Sequence, residues 1–107
     1  MNKVTIIGSG RVGSTIAYSL TCRGLADEIV IIDIDGNRAL GEALDIRQGL
    51  SYDSSCRVYA GSYDDAKDSN IVVITSGIAR KPGQTRLELI KTNIAIQKSI
   101  IPEITKA

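Results

Sequence analysis

The chain has 107 residues, with 13 basic and 12 acidic side chains, a net charge of +1, four tyrosines and no histidine, tryptophan or phenylalanine. That length holds one domain with one modest core, and the balanced charge creates no field that would draw nucleic acid or a membrane surface. The missing histidine excludes a histidine acid/base, a histidine metal ligand and any Ser–His or Cys–His couple within the chain, and four tyrosines make no base-stacking platform.

Lys3 to Ile7 is an apolar, β-branched run that predicts a buried strand. It leads directly into Gly8-Ser9-Gly10-Arg11-Val12-Gly13. Arg11 to Cys22 predicts the first helix, with Val12, Ile16 and Leu20 at four-residue spacing and Arg23-Gly24 closing it. Glu28 to Asp33 predicts a second strand, a continuous apolar run of the kind a sheet covered on both faces requires. Asn37 to about Gln48 predicts a second helix, with Leu40, Leu44 and Ile46 partly periodic. Arg57 to Ala60 is a short third strand, Asp64 to Asp68 a brief helical turn, and Asn70 to Thr75 a fourth strand. Ser76 to Thr85 reads as a polar loop. Leu87 to Ile101 predicts a long helix with apolar residues at 87, 90, 94 and 101, which Pro102 kinks or ends.

Strands alternating with helices imply an α/β fold, a Rossmann-type doubly wound parallel sheet. The sheet is expected to be incomplete: a first βαβαβ half and the start of the second, with a further strand expected after residue 107. On that reading, residues 1–107 are a truncated piece of a longer protein. The N-terminus enters strand sequence by Val4, leaving no room for a secretory signal, and no apolar run approaches the ~20 residues of a membrane helix. The expectation is a cytoplasmic protein with no metal site. Cys22 and Cys56 read as reduced thiols, with one disulfide left open.

The glycine turn carries the chemistry. In a strand–turn–helix setting, Gly8 permits the tight turn, Gly10 lets the backbone approach a pyrophosphate, and Gly13 lets the helix sit close to the sheet. The helix N-terminus offers unpaired N–H groups and its positive dipole end to phosphates. Asp33, 20 residues after Gly13, can accept hydrogen bonds from the adenosine ribose, and its charge disfavours a 2′-phosphate, so NAD is expected over NADP. The same residues also fit an ordinary βα turn followed by a solvated strand-end acid. Asp35 lies nearby but is less well aimed. Arg80 and Arg86, with Pro82-Gly83 between them, suggest a lid carrying carboxylate-binding groups, or else a solvated basic loop.

Taken together, these residues resemble the N-terminal part of the NAD-dependent L-lactate/L-malate dehydrogenase family. The resemblance spans essentially the whole chain. It rests on the GxGxVG turn, on Glu28 to Asp33, on Gly41-Glu42-Ala43-Leu44-Asp45-Ile46, and most specifically on Arg80-Lys81-Pro82-Gly83-Gln84-Thr85-Arg86-Leu87 followed by Asn93. It implies a cofactor site built from Gly8, Gly10, Arg11, Val12, Gly13, Asp33, Arg38, Tyr63, Gly77, Ile78 and Asn93, with Arg38 and Tyr63 near the adenosine. It implies that Arg86 polarises the carbonyl of a small 2-oxo acid substrate. Arg80 stands where malate-specific members carry arginine and lactate-specific members glutamine, which favours a dicarboxylate, whereas Thr85 to Leu89 looks more like the lactate branch. The family's histidine acid/base, its aspartate partner and its carboxylate-clamping arginine have no counterpart here, so the fragment alone is expected to be inactive. The resemblance also implies a homo-oligomer, with the helix carrying Ala43 to Ile46 against a partner subunit, although its apolar residues fit equally a helix covering this chain's own sheet. A stand-alone nucleotide-binding module and a different Rossmann enzyme are the competing readings. Neither needs a substrate arginine in the Arg80 to Arg86 loop.

Overall fold

A computed structural model of the chain describes residues 2–49, 56–75, 83 and 85–106. The elements run β1 (Lys3–Ile7), α1 (Arg11–Cys22), β2 (Glu28–Ile32), α2 (Gly36–Gln48), β3 (Arg57–Ala60), a 3₁₀ turn (Tyr63–Ala66), β4 (Ile71–Ile74) and α3 (Arg86–Lys106). The four described strands form one parallel sheet in the order β3-β2-β1-β4. This is the α/β Rossmann arrangement expected of the alternating pattern. β1 lies in the middle and the chain leaves it in both directions, which opens a crevice at the carboxyl ends of β1 and β4.

The core lies on both faces of the sheet. On one face Val4, Ile6, Ile29, Ile31 and Val58 pack against α1 and α2; on the other, Ile7, Val30 and Ile32 pack against the 3₁₀ turn and α3. Because successive strand residues point to opposite faces, covering both faces requires the unbroken apolar runs seen in β1 and β2.

α1 and α2 dock largely on small residues; of the large ones that mark their periodicity, only Ile46 is fully buried. In α1 the buried positions are Gly13, Ala17 and Thr21, while Val12 is 63 % exposed and Ile16 and Leu20 only flank the core. In α2 they are Ala39, Ala43 and Ile46, and Leu40 and Leu44 face outward. The β-branched side chains of the sheet already fill the interlayer space, so only small residues fit where the helix axis comes nearest. α3 docks through large residues, but not the expected ones. Ile100 is its buried residue, flanked by Ile96 and Ile104, while Leu87, Ile90, Ile94 and Ile101 are all exposed.

Several element ends shift from the expected positions, and the shifts have causes. α3 begins at Arg86 because Thr85 and Glu88 form a capping box: the Thr85 N–H donates to Glu88 Oε2 at 3.2 Å, and the Glu88 N–H donates to Thr85 Oγ1 at 3.1 Å. Pro102 does not end the helix, which runs on to Lys106. Pro102 and Lys98 are exposed, so the carbonyl four residues before the proline can turn to water. The brief turn spans Tyr63–Ala66, with a capping box between Ser62 and Asp65. β2 stops at Ile32 because Asp33 turns out of the ladder towards Ser9. Cys22 and Cys56 are both thiols. Among the described residues, no helix is long and apolar enough to cross a membrane.

Candidate functional site

A cleft of about 330 Å³ opens at the carboxyl ends of the strands, and Gly8, Gly10, Asp33, Arg38, Tyr63 and Thr75 line it. Its residues come from separate elements that the parallel sheet brings to one rim. β1 delivers the glycine turn, β2 delivers Asp33, and β4 is followed by Thr75. α2 contributes Arg38, and the 3₁₀ turn contributes Tyr63. α3 closes one wall with Ile96, Ser99 and Ile100.

The glycine turn is built as its sequence requires at two positions. Gly8 adopts φ +108°, a conformation L side chains rarely take, and its N–H donates to the Ile32 carbonyl at 2.7 Å. Gly13 lies against the turn so closely that a Cβ would overlap the Gly8 carbonyl oxygen and sit 2.9 Å from Thr75 Oγ1. Gly10 is open by contrast. The nearest atom to a Cβ built there is Arg38 Nη2 at 3.8 Å, so the rim above the turn stays clear.

The N-terminus of α1 has no side-chain cap and no acid in its first turn. The other described helices treat their first turns differently. Asp35 caps α2 by accepting from the Arg38 N–H at 3.2 Å, and the 3₁₀ turn carries Asp64 and Asp65. Among the described residues, the first turn of α1 therefore has no side-chain cap or acid of its own, which suits the phosphates of a dinucleotide. The open rim above Gly10 and the ionised acid across the cleft fit the same group.

Asp33 is partly buried and heavily hydrogen-bonded. Burial pushes its carboxyl up, but the N–H groups of Asp35 and Ser9, the Ser9 hydroxyl and the Arg38 charge outweigh this and hold it below the ordinary carboxylate value. It therefore stands ionised at neutral pH, neither a fully solvated strand-end acid nor a buried neutral one.

The expected site residues divide into four groups. Gly8, Gly10, Asp33, Arg38 and Tyr63 meet in the cleft. Gly13 lies beneath it, and Arg11 and Val12 are exposed on the first turn of α1 beside it. Asn93 is half-buried on α3, and Arg86 is exposed at that helix's first residue. At 1.5 Å per residue, Arg86 lies roughly 20 Å along α3 from Ile100, so it is remote from the Asp33 end. Gly77, Ile78 and Arg80 lie outside the described residues.

Two contributors escaped the sequence reading. Ser9, 1 % exposed, donates twice to Asp33. Thr75 Oγ1 lies 3.1 Å from the Ile7 carbonyl and 3.2 Å from that of Gly8, tying the end of β4 to the glycine turn. A small hydroxyl residue between the first two glycines, and another at a strand's carboxyl end, were the available signals.

Comparison with known proteins agrees with this geometry. The model of the lactate/malate dehydrogenase NAD-binding domain matches residues 2–107. An L-lactate dehydrogenase of Clostridium perfringens is 51 % identical over 105 residues, 98 % of this chain and 33 % of that protein. Among solved structures, the ligand-bound minor L-lactate dehydrogenase of Enterococcus mundtii aligns with TM-score 0.94 at 42 % identity, over 98 % of this chain and 34 % of that one. The apo malate dehydrogenase of Picrophilus torridus aligns with TM-score 0.92 at 37 % identity, with the same shares covered. The chain thus spans about a third of the length of the curated relatives it matches.

Proposed function

The chain belongs to the lactate/malate dehydrogenase family as its NAD-binding domain, and from that premise we propose that it is the cofactor half of an NAD-dependent L-2-hydroxy acid dehydrogenase, with malate and oxaloacetate as its substrate pair. The observation that carries the cofactor assignment is the pairing of an uncapped α1 N-terminus with an ionised Asp33 across one cleft.

NAD, when bound, supplies the hydride acceptor and NADH the donor. The chain's own residues bind and orient it. The α1 N-terminus takes the pyrophosphate, Asp33 takes the adenosine ribose, and Arg38 and Tyr63 border the adenosine. Arg86 polarises the substrate carbonyl, stabilising the negative charge that develops on its oxygen. Its position far along α3 from the adenosine end supports this division of the site. Arg80 pairs with the second carboxylate of oxaloacetate; pyruvate would leave that charge unpaired in a closed site. The exposed outer residues Tyr18, Leu40 and Leu44 on α1 and α2 support association of copies through that face.

Lactate is the second reading. It is favoured by the C. perfringens relative at 51 % identity and by the Thr85 to Leu89 segment. Steady-state assays of the full-length protein with oxaloacetate and pyruvate separate the two. We expect kcat/KM to favour oxaloacetate, and Arg80→Gln to lower the oxaloacetate value by about 100-fold, the loss of one desolvated charge pair. A preference for pyruvate in the unmodified protein would assign it to lactate. The 107-residue chain has no histidine acid/base, so it should show no turnover with either acid. Full-length protein that binds NADH and reduces neither acid would instead indicate a non-catalytic module.

A further inference from the structure

Among the described residues, two neighbours hold the Asp33 carboxylate, and Ser9 supplies two of the three hydrogen bonds. Its Oδ2 accepts both the backbone N–H and the side-chain hydroxyl of Ser9, each at 2.7 Å. Its Oδ1 accepts the Asp35 N–H at 2.9 Å. Ser9 is almost fully buried, and its own carbonyl accepts the Ser14 hydroxyl at 2.9 Å. A carboxylate offers about four acceptor positions. Three are filled, and the one that remains is on Oδ1. Without the Ser9 hydroxyl, one backbone N–H would remain on each oxygen, and the carboxylate would have more freedom about χ2, whose energy well is broad. Two bonds from a rigid, buried residue fix it.

We propose that Ser9 is a positioning residue for cofactor selectivity: its hydroxyl locks the Asp33 carboxylate so that the remaining Oδ1 position meets a ribose hydroxyl and a fixed negative charge faces any 2′-phosphate. The proposal rests on the dinucleotide reading of the cleft and deepens it. Discrimination between NADH and NADPH belongs to the pair, not to the acid alone. Alanine at position 9 would keep the backbone bond and the fold of the turn but lose the lock.

The test compares affinities of the full-length protein for NADH and NADPH, by calorimetry, in the unmodified protein and in Ser9→Ala, Asp33→Asn, the double variant and Ser19→Ala. Ser9→Ala should shrink the preference for NADH about tenfold, the scale of a hydrogen bond to a charged group. In the Asp33→Asn background it should change the preference no further, because a lock without its acid has nothing to hold. Ser19→Ala removes an exposed hydroxyl near the far end of α1, away from Asp33, and should leave the preference intact. The Asp33 carboxyl, followed by NMR titration without nucleotide, should move upward in Ser9→Ala. An unchanged preference in Ser9→Ala, an unmoved carboxyl, or an effect fully additive with Asp33→Asn would overturn the proposal. Failure of the unmodified full-length protein to bind either nucleotide would overturn the dinucleotide reading itself, and the role of Ser9 with it.

Discussion

At Gly13 the missing side chain is a packing requirement. A Cβ there meets the Gly8 carbonyl oxygen and Thr75 Oγ1. Neither can retreat easily, because the Thr75 hydroxyl is held by the Ile7 and Gly8 carbonyls. Gly13→Ala should destabilise the chain by about 3 kcal/mol, the upper range for overpacking. Urea unfolding measures it, and a loss below about 0.5 kcal/mol would mean that α1 can move off the sheet. At the opposite end of the strands, Tyr59 donates a short hydrogen bond to Glu28, whose carboxylate also lies 3.6 Å from Lys3 Nζ. Burial, then the Glu28 hydrogen bond and charge, push the Tyr59 phenol up to about 12. The folded state therefore holds this proton more tightly than the unfolded chain does. The resulting stability is complete below pH ~10, the value for a free phenol, and is lost as pH rises from there to about 12. Glu28 has the opposite sign. The Tyr59 bond lowers its carboxyl, so its contribution is lost as the solution is acidified. Tyr59→Phe should flatten the alkaline limb of a stability–pH profile. A limb as steep as that of the unmodified chain would place the effect elsewhere.

Among the elements, α3 shows how far periodicity can mislead. Its residues 87, 90, 94 and 101 form an apolar stripe, yet each is about half exposed or more, and the helix docks through Ile96, Ile100 and Ile104 instead. Both stripes are apolar at helical spacing, so a sequence pattern cannot choose between them. The choice comes from where the crossover from β4 lays the helix on the sheet. Two adjacent residues make the distinction measurable. Ile100→Ala, which removes a side chain only 4 % exposed, should cost about 2–4 kcal/mol. Ile101→Ala, at 52 % exposure, should stay within about 0.5 kcal/mol. Equal losses would mean that the second stripe is also covered.

For the whole molecule, the cleft ties the glycine turn, β2, β4 and α3 together, so a ligand that fills it should stabilise all of them at once. NADH at 100 times its dissociation constant should raise the unfolding free energy by about 2.7 kcal/mol. A thermal melt with and without the nucleotide reads this, and an unshifted transition would show that the chain alone does not hold the cofactor. β4 is an outer strand of the described sheet, and its Ile71 is 58 % exposed. Relatives about three times as long as this chain have further sequence with which to cover such surface, and an open edge invites pairing with other chains.

The elements and their order were legible in the sequence because each depends on local chemistry. β-branched runs favour strands, Gly8 and Gly13 have no substitute at their positions, and an acid 20 residues beyond the turn marks the end of β2. β1, α1 and β3 fall on the residues read from the chain alone, and the cofactor class follows from the same motif. Which helix faces are buried was not legible. Gly13, Ala17, Ala39 and Ala43 carry too little hydrophobicity to stand out beside Val12, Leu40 and Leu44, yet they are what fits where α1 and α2 come nearest to a crowded sheet. Nor was the lock on Asp33 legible. Ser9 and Asp33 are separated by 24 residues, and only the parallel pairing of Ile7 with Ile32 brings the hydroxyl to the carboxylate. Chemistry encoded within a few residues belonged to the sequence; chemistry shared between strand ends was decided by the register of the sheet.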